Sequence, residues 1–586
     1  MPTRSAAASH WLRVAAHVVL HSLGALWRST PRRHAPSNDL RNAPVIAEHR
    51  SPLWRDGRDE EFPLVAGKVE NLRIARSAFD GIVVPAGAVV SFWRQLGRPS
   101  RWRGFVEGRE IRAGCVVPTI AGGLCQLSNA LATCAIHGGL TLVERHGHTA
   151  RVERDAGRDS PGAIDATVFW NYVDLRLVSD FDFRVEVELS SDELVVRMRA
   201  ADASRQIAGK PPALIPIATG TPRPVARGCL TCNQTECFRH RERVTARADR
   251  STAVLVNAWT PEFARHLRGL EGEADWLVPW IRRARRRAGW WASSASSQHT
   301  VALAASLRRT LLLRRHAGEG GSRQAAMLQG DRWLAQRYAR RLEPRHTHLV
   351  VDQSLLVPLA QMGALAGRTY EVLVHALPAG ELQRRLDAAA RRWPDAASLK
   401  DFRVSEAHCE LEIDALRGAQ RLATAHAEVA RHLRATFGAV VETIDWALPA
   451  PSKARHASAL QATPVVAFAA SALARKGALE LADAVRHLRW RLLVLGTPPS
   501  DPRLWHGIEV THMAYRDPRW LACADVVALP AYIEHSPRAL LTAFAHGIPV
   551  VASPECGLPS SLQASEVAAG DTAGLIAGLQ RAVPPC

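Results

Sequence analysis

Three clusters of residues in this sequence have types and spacing suited to chemistry. The first lies in AGGLCQLSNALATCAIHGGLTLVERHGHT, residues 121–149. Cys125 follows two glycines and opens a short amphipathic segment, 125–137, that reads as a helix. A helix start favours the thiolate, because the amide dipoles point their positive end at the sulfur. His146 and His148 alternate on one face of an extended run, and Asp165 heads the next. Thiol, imidazole and carboxylate in that order could serve as nucleophile, base and orienting group. In that reading the glycines leave room for a substrate backbone. The other reading makes Cys125 a small core residue behind a turn, with the histidines bonded to loops. The local pattern does not choose between them.

The second cluster is CLTCNQTECFRH. Cys229, Cys232, Cys237 and His240 form a C-x2-C-x4-C-x2-H array. Three thiols and an imidazole can close a tetrahedral zinc site, and three thiols can also seat an iron–sulfur cluster; zinc is favoured. The alternative is a set of reduced surface thiols.

The third cluster lies near the C-terminus. Arg475 and Lys476 follow the apolar run PVVAFAA and lead into a helical stretch, which is the form of a phosphate site. Glu534 follows the strand-like DVVALP, ahead of another helix and the buried run IPVVAS. In open parallel sheets ligands sit outside the carboxyl ends of the strands, where both loops should fall.

These loops need elements to hold them. The chain has 586 residues, too many for one core, so several domains are expected. Residues 1–50 read as an N-terminal helix and a linker. The apolar run HWLRVAAHVVLHSLGALW is broken by Arg13, His17 and His21, which suits an amphipathic helix on a membrane surface or on the protein itself better than a bilayer span. Residues 28–50 are polar and proline-bearing. Residues 51–207 mix short strands with one or two helices; 164–178 and 183–198 alternate like antiparallel strands, turning at Ser190–Asp192. Residues 208–250 hold a proline-rich linker and the cysteine array. From 251 onward short apolar strands alternate with helical stretches, the signature of parallel sheets, divided into 251–450 and 451–586. The fold class is therefore α/β multidomain, with a mixed α+β domain ahead of two Rossmann-like ones.

The formal charge is +19 and the pI about 10.3, which favours anionic partners. Only Lys68, Lys210, Lys400, Lys453 and Lys476 are lysines, so the excess is arginine and selects no partner by itself. PWIRRARRRAGWW, 279–291, could lie on anionic lipid, contact a diphosphate, or be a solvated helix face with packed tryptophans. Read as a nucleic-acid-binding knuckle, the cysteine array lacks the aromatic and basic interleaving that stacking needs, and no nucleic acid is expected. Ten cysteines do not make a disulfide framework, so the reading is a reducing compartment: cytoplasmic, peripheral on the inner membrane face.

GGLCQLSN, VERHGHT, SFWRQLG and DATVFWNYVDLRL together resemble the VanW family over roughly 50–200. The resemblance implies a connection to the cell envelope and assigns no chemistry. One glycine of the family's usual triple turn is Ala121 here. Further on, ARKG, LLVLG, LPAYIEHSPRALLTAFAHGIPVVAS and CGLP resemble the C-terminal domain of retaining GT-B glycosyltransferases, and TYEVLVHALP the strand ending in their active-site histidine. The resemblance implies that Lys476 holds a donor diphosphate, that Glu534 lies near the transferred sugar and that His375 contacts that sugar. The family's second glutamate is Thr542 here, and its arginine before the lysine is Ser471. Arg475 and Arg538 would compensate as donor-binding cations.

Two functions follow as expectations. One is a glycosyltransferase of envelope polysaccharide or glycolipid synthesis, moving a sugar from a nucleotide-diphosphate donor to an envelope glycan or lipid-linked acceptor with no cofactor for transfer. The other is a non-catalytic scaffold that binds a sugar or nucleotide, motivated by Thr542 and Ser471.

Overall fold

The computed structural model describes residues 33–54, 61–112, 115–147, 164–170, 173–202, 249–279, 281–282, 291–292, 299–316, 320–450, 463–499 and 501–583, with seven scattered residues between 5 and 16 and Cys232 and Cys237. Most of the expected N-terminal helix, His148, Cys229, His240 and the basic run 283–290 lie outside the described residues. The chain divides into two units. Unit 1 comprises residues 1–252 with two segments from further along, Leu342–His348 and Gly363–Thr369; unit 2 comprises the remainder.

Unit 1 contains β1 (Val45–Pro52), β2 (Val83–Val84), β3 (Val90–Ser91), β4 (Glu107–Arg112), β5 (Cys115–Ile120), β6 (Thr141–Glu144), β7 (Arg176–Val178), β8 (Phe183–Leu189) and β9 (Glu193–Arg199). The main sheet is antiparallel in the order β1-β9-β8-β2. Alternation in FRVEVEL and ELVVRMR turns Val185, Val187, Leu194, Val196 and Met198 inward. Helices α1 (Phe62–Phe79) and α2 (Cys125–His137) bury Leu72, Phe79, Leu127 and Leu131 in the same core. The polar arm expected over 28–50 gives way at Val45, where β1 adds to the sheet beside β9. The strand expected over 164–178 forms only at Arg176–Val178, with isolated bridges His146–Thr167 and Phe169–Val173 before it. Just before β7, the Asp174 carboxylate accepts from Ser91 Oγ at 2.5 Å, Trp93 N at 3.1 Å and Leu175 N at 3.0 Å.

Unit 2 carries two further sheets. The first contains β10 (Ser251–Leu255), β11 (Asp275–Val278), β12 (His299–Val301), β13 (His346–Asp352), β14 (Thr369–Leu373), β15 (Arg421–Thr424) and β16 (Val441–Thr443), in the order β12-β11-β10-β13-β14-β15-β16. The second contains β17 (Val465–Phe468), β18 (Arg491–Val494), β19 (Val510–His512), β20 (Val526–Leu529), β21 (Val550–Ala552) and β22 (Ser565–Glu566), in the order β19-β18-β17-β20-β21-β22. All five pairs of the second sheet are parallel. Val465–Phe468 and Val526–Leu529 are buried end to end, as a strand covered on both faces must be. Helices α3 (Leu303–Arg315), α4 (Gly320–Ala339), α5 (Gln353–Gln361), α6 (Ala427–Phe437), α7 (Ala478–Leu488) and α8 (Arg538–Ala545) connect or flank these strands. The two parallel sheets expected of the second half are both present.

Candidate functional site

The best-formed polar site in unit 2 lies beyond the carboxyl ends of β17 and β20. After β17 the chain makes a 3-10 turn at Ala474–Lys476, and Gly477 follows with φ +77°. A side chain at 477 would place its Cβ 2.1 Å from Pro530 O, so both the positive φ and the contact with the next loop require glycine. Helix α7 starts at Ala478, so this loop lies at its N-terminal end, where Ala478 N donates to Leu473 O at 3.4 Å. Lys476 Nζ donates to Ile533 O at 2.8 Å and to Glu534 Oε2 at 3.0 Å. Glu534 Oε1 accepts from Ser536 N at 2.7 Å, so the carboxylate is fixed at both oxygens. A cation, a helix start and an oriented carboxylate thus converge on one loop pair.

The two arginines read as donor-binding are engaged elsewhere in unit 2. Arg475 Nη1 lies 2.6 Å from Asp401 Oδ2, with its guanidinium over the Phe402 ring. Arg538 forms a two-pronged pair with Glu262, 2.6 Å at each oxygen. Burial alone would lift the Glu262 carboxyl; the Arg538 fork and the Ala447 amide outweigh it and hold the group below its usual range. Arg538 opens α8, where the helix dipole disfavours a cation, so Glu262 also offsets that cost. Thr542 Oγ1 donates to Arg538 O at 2.8 Å and shares a hydrogen bond with Tyr515 Oη at 2.9 Å. Ser471 Oγ accepts from Thr497 N at 3.1 Å, serving its own loop.

His375 follows β14, half-exposed, with Nδ1 3.9 Å from Asp352 Oδ1. Its backbone is held by Gln353, whose Oε1 accepts from His375 N at 3.2 Å and Ala376 N at 3.0 Å. Asp352 caps α5 by accepting from Ser354 N at 3.0 Å. Asp331, on α4, pairs with Arg309 at 2.9 Å and accepts from Asn257 at 2.9 Å. Burial, followed by Asp352, pushes the Asp331 carboxyl up to about 6 against the pull of Arg309. Between the two sheets' loops, His426 and His535 stack edge to face at 5.8 Å. His426 Nδ1 accepts from Val429 N at 3.2 Å, so Nε2 carries the proton it gives to Glu534 O at 2.6 Å. His535 Nε2 accepts from Leu377 N at 3.3 Å. Both rings are neutral: burial lowers His426, and lowers His535 well below the ordinary value, with cationic neighbours adding to the effect there.

In unit 1, Cys125 begins α2 as the sequence reading expects. Its Sγ lies 3.5 Å from Thr167 Oγ1 and 3.9 Å from Val168 O. His146 Nε2 lies 3.3 Å from Glu144 Oε1, and Asp165 O accepts from Arg145 Nη1 at 2.8 Å. The glycines before Cys125 are not clearance for a substrate. A Cβ on Gly122 would sit 2.4 Å from Gly108 O, and one on Gly123 would sit 2.2 Å from Lys68 Cγ. They admit close packing of the β4–β5 hairpin and α1 against the turn. Among the described residues no group of three or more histidine, cysteine or acidic side chains is placed to hold a metal ion. The Cys229, Cys232, Cys237 and His240 array is only half within them.

Residues 67–200 match the model of the VanW family, "VanW like protein". Residues 463–583 match that of "Glycosyl transferases group 1". The two matches lie in separate parts of the one chain. The vancomycin B-type resistance protein VanW of Enterococcus faecalis is 28% identical over 155 residues, 26% of this chain and 54% of that protein. The uncharacterized protein YoaR of Bacillus subtilis is 30% identical over 112 residues, 19% of this chain and 35% of that one. The chain thus spans about half of the first curated relative and a third of the second. Among solved structures, sucrose-phosphate synthase of Thermosynechococcus elongatus is 15% identical, with 57% of this chain and 89% of that one covered and a TM-score of 0.39. HepE of Anabaena, in complex with UDP and glucose, is 16% identical, with 57% and 90% covered and a TM-score of 0.35.

Within the glycosyltransferase group 1 segment, Lys476 and Glu534 were legible as a loop cation and a loop carboxylate. Glu262, Asp401, Asp331 and the two buried histidines were not. Glu262 lies 276 residues from Arg538 and Asp401 lies 74 from Arg475. The usable signal was the charge balance itself, since a part-buried arginine demands a carboxylate somewhere. In the VanW-like segment the missed feature is the Gly108–Gly122 backbone approach, signalled only by glycines at matching places in two strand ends.

Proposed function

We propose that this chain transfers a sugar from a nucleotide-diphosphate donor to an acceptor of the cell envelope, with the VanW-like unit serving the same envelope task. The observation that carries the reading is the Lys476–Glu534 pair, 3.0 Å apart at the start of α7 within the segment matching glycosyltransferase group 1. The bond to break joins the sugar's anomeric carbon to the diphosphate. Negative charge grows on the diphosphate oxygens as it breaks, and the Lys476 ammonium with the α7 amides would stabilise that charge. The acceptor hydroxyl oxygen forms the new bond to the same carbon, and its proton passes to the departing diphosphate. Glu534, released from Lys476 by the incoming phosphate, would orient sugar hydroxyls, and His375 would face the sugar from the other sheet. Cys125 is read as a packing residue on its position, partly buried against the hydrophobic core of unit 1 with Thr167 Oγ1 and Val168 O beside its sulfur.

Incubation with a panel of nucleotide sugars should give hydrolysis or transfer, and Lys476→Ala should abolish it while leaving the fold intact by circular dichroism. Absence of both turnover and nucleotide binding across the panel would end the proposal. The scaffold reading is favoured by one arrangement: Arg475 and Arg538 are already paired with Asp401 and Glu262, and Thr542 offers no carboxylate to a ribose. Nucleotide binding by calorimetry without turnover would select it.

A further inference from the structure

Helix α3 is amphipathic in an unusual sense: its apolar stripe faces outward. Leu303, Leu307 and Leu311 are 53%, 54% and 65% exposed, although leucines at this spacing normally mark a buried face. The opposite side is the anchored one. Ser306 Oγ donates to Pro279 O at 3.0 Å, and Arg309 pairs with Asp331 at 2.9 Å. On neighbouring α4, Met327 and Leu328 are 41% and 39% exposed. Arg308 crosses between the helices with its guanidinium 3.7 Å from the centre of the Trp333 ring.

The exposed charges on helices α3 and α4 are all positive. Arg308, Arg314 and Arg315 lie on the exposed arc of α3 beside the leucines. Helices α3 and α4 contain a single carboxylate, Asp331, and it is buried against Arg309 and Asn257. A bilayer with anionic headgroups matches both halves of the pattern: leucines enter the acyl boundary while arginines reach the phosphates.

We propose that the outward face of α3 and α4 docks on an anionic lipid surface. Helix α3 would lie in the plane of the interface, Leu303, Leu307 and Leu311 would enter it, and Arg314 and Arg315 would hold the headgroups. The proposal does not rest on the donor reading. It adds a route for a lipid-linked acceptor, because Arg309 on the inner side of α3 reaches Asn257 beyond the end of β10.

The test is sedimentation of the full chain with large unilamellar vesicles, one set of phosphatidylglycerol mixed with phosphatidylcholine and one of phosphatidylcholine alone. Wild type should bind the anionic vesicles, weakly or not at all the neutral ones, and less as salt rises. The pair Leu307→Ser and Leu311→Ser should lower the partition coefficient about tenfold, and Arg314→Gln with Arg315→Gln about as much. These side chains are exposed, so melting curves and nucleotide binding should match wild type, which separates failure here from failure of the donor site. Four results would overturn the proposal: no binding of wild type to anionic vesicles, equal binding to neutral ones, undiminished binding by both variants, or a wild-type oligomer that the leucine variant dissolves.

Discussion

Arg538 shows how much a single side chain in this molecule depends on a distant partner. Glu262 is almost fully buried, and its charge is held by both nitrogens of the guanidinium fork. Arg538→Ala should therefore destabilise unit 2 by about 3 kcal/mol, because a buried carboxylate is left unpaired. Glu262→Gln should cost less, about 1 kcal/mol, since the amide oxygen still accepts one bond and the arginine keeps access to water. Chemical denaturation of both variants orders them, and equal costs would contradict the account. Thiols make a second residue-scale comparison. Cys134 donates to Val196 O at 3.2 Å and burial pushes its pKa up; burial pushes Cys556 up to about 12. Cys125 is only half-buried, so iodoacetamide at neutral pH should label it at least about tenfold faster than either, followed by peptide mass spectrometry. Labelling of Cys125 no faster than Cys134 would close the remaining case for a reactive thiol. The sequence made Cys125 and Lys476 visible because each stands beside a local turn. It hid Glu262 and Asp401 because charge pairing respects space and not chain distance.

At the scale of elements, the turn before α2 shows where glycine is obligatory. Gly122→Ala would drive a methyl group into Gly108 O at 2.4 Å, and both sides of that contact are backbone. The expected cost is about 3 kcal/mol of unit 1 stability. Gly87→Ala is the control: its φ is +75° but nothing lies within 4 Å of the added carbon, so about 1 kcal/mol is expected. Urea titrations of the two variants should separate them clearly. The β8–β9 hairpin and both parallel sheets were readable, since period-two alternation and fully apolar runs are properties of a strand's own residues. The first strand, β1, was not. VIAEHRSP alternates poorly, and β9 supplies the pairing that makes it a strand. The 164–178 run failed in the opposite direction: among the described residues its β-forming stretch makes only the isolated bridges His146–Thr167 and Phe169–Val173 ahead of β7.

At the scale of the whole molecule, unit 2 contains a buried histidine pair that responds to acid. The folded state holds His535 well below, and His426 below, the ordinary value of 6.5, which the unfolded chain retains. The unfolded chain therefore takes up protons first. Stability from this pair is complete above about pH 6.5 and is lost as pH falls, by up to ~1.4 kcal/mol per pH unit for each group. Asp331 acts in the opposite sense, because its raised pKa near 6 gives stability that is lost as pH rises through that value. The informative quantity is thus a difference. Between about pH 7.5 and 5.5 the melting temperature of wild type should fall more steeply than that of His535→Gln, which keeps an acceptor for Leu377 N without a titrating ring. Parallel slopes would show that folding does not lower the His535 pKa. Among the described residues no helix is long and apolar enough to cross a membrane.

The membership of Gly363–Thr369 in unit 1 has a consequence for synthesis. Gly367 N donates to Leu189 O at 3.3 Å, and Arg73 Nε donates to Ala366 O at 2.7 Å. These bonds close the end of the β8–β9 hairpin and one side of α1. When Thr252 has left the ribosome, every strand of the antiparallel sheet exists, yet this closure does not. At about 5–20 residues per second the missing piece arrives roughly ten seconds later. For that interval the nascent chain carries a nearly finished sheet with the end of its central hairpin uncovered, while the first strands of unit 2 are already emerging. A ribosome pause placed after codon 252 should lengthen that interval and raise chaperone association, whereas a pause after codon 369 should not.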